Sequence, residues 1–327
     1  MNSSQNKRRS EPQASKSKGS KKGLALFEWP MLIYVALTTA LVFFMQTRLH
    51  NPMSMLVLRF QTVAMMLALW GVYRMWPCRL TMGFRMLLQV ALLNTWYPET
   101  FEFCRMLPNL DHVFANLDQQ VFGFQPALLF SQQVTHPVVS ELLTVGYLSY
   151  FPMIAGVPLY YLFYRYDEFR RVLFVMMASF FTFYVVFVFL PVAGPQFYYP
   201  VVGIDQIAQG VFPAAGDYFE THSTELMLTP GYEQGVFHRL LVAAHEVGEN
   251  PTAAFPSSHV GITTVFLLLA LRTGARRLFW VLLPFAILMF FATVYIMAHY
   301  AVDTVAGLIA GVLMYAVFNG CYRCKIM

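Results

Sequence analysis

Apolar runs of about 20 residues recur along this chain, and each is long enough to cross a lipid bilayer as an α-helix. A backbone in hydrocarbon has no water to bond, so a spanning segment must satisfy its own peptide groups, as a helix does. The residues are 57% hydrophobic and only 12% charged, against about 25% charged in a soluble domain. The runs therefore predict an all-α integral membrane protein. Eight segments fit: residues 30–46, 53–73, 81–97, 138–164, 172–192, 256–271, 278–298 and 302–320. The third is the shortest on apolar character and fits a re-entrant helix as well as a span.

Charge placement tests that count, because cytoplasmic loops of membrane proteins are enriched in Lys and Arg. With the N-terminus inside, the inner loops hold Arg79, then Arg165, Arg170 and Arg171, then Arg272, Arg276 and Arg277, then Arg323 and Lys325. The longest outer loop, residues 193–256, carries Asp205, Asp217, Glu220, Glu225, Glu233, Glu246 and Glu249 against Arg239. Every loop agrees with eight spans and both termini cytoplasmic. The expected organisation is a basic tail over residues 1–23, two N-terminal helices over 24–80, a six-helix catalytic core over 81–320 and a short inner tail over 321–327.

The basic tail contains Lys7, Arg8, Arg9, Lys16, Lys18, Lys21 and Lys22 among polar residues. Such a segment has nothing to bury and is expected to be disordered. It reads as a topology signal, with a tether to anionic lipid as the functional alternative. No cleavable secretory signal is evident. The net charge of +5 comes from helix ends and the tail, so it does not point to nucleic acid. Cys321 and Cys324 form a C-x-x-C, but zinc takes four ligands and a cytoplasmic position disfavours a disulfide.

The topology has a chemical consequence. His259 opens the sixth segment, His299 closes the seventh and Asp303 opens the eighth, so all three fall at one outer face. The four-residue spacing of His299 and Asp303 places them on one side of a helix. A carboxylate that bonds one imidazole nitrogen fixes the tautomer and leaves the other as nucleophile or base. A second histidine can then protonate a leaving group. Ser257 and Ser258 sit where a helix starts, and helix N-termini bind anions. The expected chemistry is phosphoryl transfer through a phosphohistidine, with His299 as nucleophile, Asp303 as its partner and His259 as acid. Histidines and backbone dipoles can handle the charge, so no metal or cofactor is expected.

Phe255-Pro256-Ser257-Ser258-His259 and His299-Tyr300-Ala301-Val302-Asp303 resemble the P-S-G-H and S-R-x5-H-x3-D motifs of the type 2 phosphatidic acid phosphatase superfamily. The first is also similar to the F-P-S-x-H of inositol phosphorylceramide synthases, and the second to the H-Y-x-x-D of sphingomyelin synthases. Leu117-Asp118, Phe122-Gly123 and Gln125-Pro126 resemble a further segment of that branch. The resemblance implies a six-helix core with the three residues in the roles just given. It also implies lipid substrates: a phospholipid donor and ceramide or a similar lipid alcohol as acceptor. A lipid phosphatase acting on phosphatidic acid, isoprenyl pyrophosphate or lipid A is the alternative. A transporter or scaffold on the same fold is a third, and intact His259, His299 and Asp303 argue against it.

The chain also departs from the phosphatase pattern. Gln196 stands where the first motif has Arg, no Lys precedes it, and Ala292-Thr293 replaces the S-R pair. A cationic clamp serves a dianionic monoester best, so its loss favours a singly charged phosphodiester donor. Replacement cations are sought in Arg59, Arg105, His238, Arg239 and His245. Arg59 lies within a span, where it either binds substrate or snorkels to the interface. Tyr147, Tyr150, Tyr198 and Tyr199 read as an interfacial aromatic belt more than as substrate contacts. The long outer loop is expected to form a lid that keeps water from the phosphohistidine.

Overall fold

A computed structural model describes residues 23–326 apart from 223–225 and 228. The expectation for the basic tail falls outside these residues. A 3₁₀ turn at Leu26–Glu28 leads into α1 (Trp29–Met45), α2 (Pro52–Met75) and α3 (Arg79–Cys104). Two short helices, α4 (Asp111–Phe122) and α5 (Pro126–Gln133), precede α6 (Pro137–Leu148), α7 (Tyr150–Tyr164) and α8 (Tyr166–Phe189). The outer segment holds α9 (Pro195–Val202), α10 (Ile204–Ala208), α11 (Tyr218–Thr221) and α12 (Val236–Gly248). The chain ends in α13 (Ser258–Arg272), α14 (Arg276–Tyr295) and α15 (Ala301–Ile326).

All eight predicted segments are helical. Five helices, α1 with its leading turn, α2, α8, α14 and α15, are long and apolar enough to cross a membrane, and a sixth follows if α6 and α7 count as one span. Those two meet at a 48° bend at Ser149, so the segment expected as one helix is broken. The third segment, read as possibly re-entrant, is one continuous 26-residue helix. The sixth, α13, is a shorter apolar helix of 15 residues.

α8 is the central post. It is apolar all round and mostly buried, as a helix surrounded by others must be, and it packs against α1, α3, α7, α13 and α15. α13 and α15 pack closest of all, and glycines permit it. A Cβ on Gly307 would lie 2.4 Å from the Ser257 carbonyl oxygen, and one on Gly311 would lie 2.4 Å from that of Gly261. Small residues four apart let membrane helices approach backbone to backbone. This contact joins the Ser257–His259 end of α13 to the start of α15.

Charged groups inside the N-terminal bundle are paired. Arg59 of α2 makes two hydrogen bonds to Glu99 of α3, at 3.0 and 2.5 Å, and a third to the Met55 carbonyl at 2.7 Å. Its guanidinium also lies over the Trp96 ring. Arg85 of α3 grips Glu28 through two nitrogens. The Arg59 expectation is thereby corrected: the residue neither snorkels nor stands free for substrate, because a bidentate carboxylate occupies it.

Candidate active site

His259, His299 and Asp303 lie where α13, α15 and the outer segment meet. His299 sits in the turn between α14 and α15 and not on either helix, which corrects the expectation of a shared helical face with Asp303. Its ring is buried, and its Nδ1 lies 2.7 Å from the Ala254 carbonyl oxygen. A carbonyl only accepts, so Nδ1 carries the proton and Nε2 presents its lone pair. That lone pair faces His259, whose Nδ1 is 3.5 Å away. Burial pulls the His299 imidazole down to about 4, with the Ala254 hydrogen bond pulling weakly the other way. The ring is therefore neutral and nucleophilic at neutral pH.

Asp303 plays a different part from the one expected. Its Oδ2 lies 3.9 Å from His299 Nδ1, too far for a hydrogen bond. That oxygen instead accepts from the Tyr300 backbone N–H at 2.9 Å, and the Asp303 carbonyl accepts from Ser257 N–H at 3.0 Å. The fully buried side chain holds the turn. The backbone of Ala254 does the orienting.

Two further carboxylates set the turn. Asp118 of α4 accepts from the Ala301 and Val302 N–H groups, both at 2.9 Å, and so caps α15 from outside the helix. An anion there also meets the positive end of the helix dipole. Burial raises its carboxyl to about 6, against the pull of those two bonds. Asp111 accepts from Ala193 N–H (2.7 Å), Gly194 N–H (2.8 Å), Asn109 (2.6 Å) and the Tyr300 hydroxyl (3.0 Å). Burial pushes it upward too. Asp118 stands out in the sequence only as part of a resembling segment, and Asp111 belongs to no motif.

Ser257 is the N-cap of α13, its hydroxyl oxygen accepting from Val260 N–H at 3.4 Å. Ser258 begins the helix and is buried. The first-turn N–H groups of such a helix have no intrahelical acceptor, which suits an anion. His259 is clasped between Tyr147, with ring centroids 4.6 Å apart, and Tyr150, at 4.3 Å. Tyr198 and Tyr199 are buried as well, bonding the Pro213 carbonyl (2.6 Å) and Gln125 (3.0 Å). A belt residue keeps its hydroxyl at the lipid–water boundary, so the belt reading fails for all four. Tyrosines three apart in the middle of the apolar run 138–164 were the available signal for the His259 clasp.

Gln196 is tied in through both backbone and side chain. Its N–H donates to the Met297 carbonyl at 2.9 Å, two residues before His299. Its amide donates to Glu249 Oε2 at 2.5 Å. The long outer segment is a compact set of helices, with α12 lying on α6 and capped by Glu141, which accepts from Phe237 N–H and His238 N–H at 3.0 Å each. Ala253 and Met297, the non-glycine residues with positive φ among those described, both border His299. A left-handed conformation costs such residues about 1–2 kcal/mol, and here it turns the Ala254 and Met297 carbonyls toward the ring and Gln196.

The sequence model of the PAP2 superfamily matches residues 112–317. The chain belongs to the PAP2 superfamily. No curated protein and no solved structure matches the chain. The matched stretch contains His259, His299, Asp303, Asp118 and Gln196, and leaves Asp111 just before its start and α1–α3 outside it. Superfamily membership supports a lipid enzyme of phosphatase or phosphotransferase type, embedded in a membrane through several apolar helices.

Proposed function

We propose that this protein is a membrane phosphotransferase that moves a phospho-head group from a phospholipid to ceramide or a similar lipid alcohol. His299 Nε2 attacks the donor phosphorus in line. The bond from phosphorus to the diacylglycerol oxygen breaks as the N–P bond forms, and His259, entering the step as imidazolium, gives that oxygen a proton and is left neutral. The acceptor hydroxyl then returns a proton to His259 and attacks phosphorus, releasing His299. The observation that carries this reading is the fixed tautomer of His299, with Nδ1 on the Ala254 carbonyl and Nε2 facing His259 at 3.5 Å.

Transfer is favoured over hydrolysis by what surrounds the pair. Gln196 replaces a cation and is held by a carboxylate, a poor setting for a doubly charged monoester. The helices of the outer segment act as the lid that lets a lipid alcohol outcompete water. On this reading the eight segments all cross the membrane, with both termini in the cytoplasm and the site on the periplasmic or lumenal side, as the Lys and Arg of the inner loops support. This is the inositol phosphorylceramide synthase-like reading.

The test uses purified protein in mixed micelles with labelled phosphatidylinositol, phosphatidylethanolamine or phosphatidylcholine, each with and without ceramide. The expected result is a ceramide-dependent phosphosphingolipid plus diacylglycerol, lost by on the order of 10³-fold or more in His299→Ala. Free phosphate from phosphatidic acid or isoprenyl pyrophosphate, indifferent to ceramide, establishes the phosphatase instead.

A further inference from the structure

The loss of the superfamily-type cationic side chains leaves open what binds the substrate phosphate. Five residues were candidates, and hydrogen bonds elsewhere engage three of them. Arg59 is held by Glu99. Arg105 follows α3 and is buried, its Nε 3.4 Å from Glu102 and without a hydrogen bond among the described residues, so what separates it from the fifth candidate is the latter's contact with the aromatic wall of His259. His238 turns its Nε2 onto the Thr229 carbonyl at 3.0 Å. Arg239 is exposed and folds back onto the Gly235 carbonyl.

His245 is different. It lies in the last turn of α12, and its side chain is only 3% exposed. The ring stands edge-on to Tyr147 at 6.3 Å, and the same tyrosine stacks on His259 at 4.6 Å. The lid histidine and the catalytic histidine therefore share one aromatic wall. Its Nδ1 meets the Thr229 hydroxyl at 3.1 Å. Its Nε2 is buried with no hydrogen-bond partner among the described residues, although Glu249 Oε1 stands 3.4 Å away. A buried ring nitrogen beside a carboxylate and without a hydrogen bond has donor capacity to spare when the ring proton sits on it. The other Glu249 oxygen takes the Gln196 amide, and Gln196 is bound by its backbone to Met297. The chain His245–Glu249–Gln196 thus runs from the lid to the His299 turn.

We propose that His245 binds the substrate phosphate and that Glu249 beside it selects for a singly charged phosphodiester. The proposal rests on the functional reading above and names its substrate class. His245 offers one N–H and Glu249 beside it one carboxylate, so the pair presents a single donor next to an acceptor. A single phosphate charge is met by the His245 N–H, while the second charge of a monoester faces Glu249 across a partly buried gap. A fixed Arg or Lys would remove that discrimination, because it carries its charge without a compensating neighbour.

Two measurements on the full-length protein in detergent test this. The first is binding, read by thermal shift with sn-glycero-3-phosphoinositol as the singly charged probe and inorganic phosphate as the doubly charged one. Glu249→Gln is expected to tighten inorganic phosphate at least tenfold relative to the diester. His245→Gln is expected to weaken the diester by a similar factor. The second is turnover of phosphatidylinositol against phosphatidic acid. His245→Gln should raise KM for the diester more than it lowers kcat, and Glu249→Gln should shift kcat/KM toward phosphatidic acid. Unchanged probe ratios in both variants, or equal losses of kcat on both lipids with KM intact, overturn the proposal and leave His245 a structural support for Tyr147. Binding is read without turnover, so altered probe selectivity in a protein that fails to transfer to ceramide sinks the transferase reading alone.

Discussion

The outer-face site and the α1–α3 bundle both bury charge in an apolar protein, and they do it in opposite ways. In the bundle, side chain meets side chain: Arg59 with Glu99 and Arg85 with Glu28. Around them the Tyr34 hydroxyl, the Thr62 hydroxyl, the Gln89 amide and Trp96 Nε1 find no hydrogen-bond partner among the described residues. At the site, side chain meets backbone. Asp111, Asp118 and Asp303 receive peptide N–H groups, and His299 gives its proton to a peptide carbonyl. Paired side chains hold helices together while tolerating small shifts. Bonds to the main chain fix where an atom sits, which is what in-line attack requires.

The largest effect that tests this contrast should come from cutting one partner of a bundle pair. Arg59→Met leaves Glu99 charged and alone, at a cost of about 3–5 kcal/mol. The thermal midpoint in detergent should fall sharply while the folded fraction keeps its kcat. Adding Glu99→Met should recover most of the loss. If the single variant instead lost kcat with its midpoint unmoved, the bundle would belong to the chemistry and the contrast would be wrong.

The site should show its own signature in pH. Above about pH 6.5 His299 is neutral both folded and unfolded. Below that the unfolded ring takes a proton, whereas the buried ring resists until about 4. Stability is therefore present above 6.5 and drains away as the pH falls toward 4, by up to about 3 kcal/mol. His299→Gln should flatten that part of the midpoint-versus-pH curve, and a parallel curve would mean that the ring is not buried neutral.

A smaller change in stability should have a large effect on catalysis at Gly307. Gly307→Val drives a side chain into the Ser257 carbonyl, at about 1–3 kcal/mol, yet it separates α13 from α15 and should cut kcat far more than the midpoint suggests. Gly320→Ala, which meets nothing within 4 Å, is the control. The smallest expected effect is Asp118→Ala, which uncaps α15 for about 1 kcal/mol and should lower kcat with little change in KM.

The helices were legible because hydrophobic run length is a local property. Eight segments became helices, and the bend at Ser149 and the early end of α14 at Tyr295 were boundary matters. His259, His299 and Asp303 were legible as a set because topology alone brings helix ends to one face. What remained hidden depends on partners far along the chain. Arg59 looked available because Glu99, 40 residues on, bears no mark of being its partner. Tyr147 and Tyr150 looked like boundary residues because exposure cannot be read from composition. Ala254 could not be found at all, since a backbone oxygen has no letter in the sequence.

That last residue has a practical consequence for any mutational screen of this protein. The group that sets the His299 tautomer belongs to a position already occupied by alanine, so an alanine scan passes over it without a signal. Even a saturating library changes only its side chain and leaves the oxygen in place. The orientation of the His299 ring will surface in such data indirectly, as intolerance to proline at Ala254, whose N–H is held by the Val192 carbonyl at 3.0 Å, and at the left-handed Ala253 beside it. Maps of tolerated substitutions will therefore outline the phosphate-facing side of this site well and its hinge poorly.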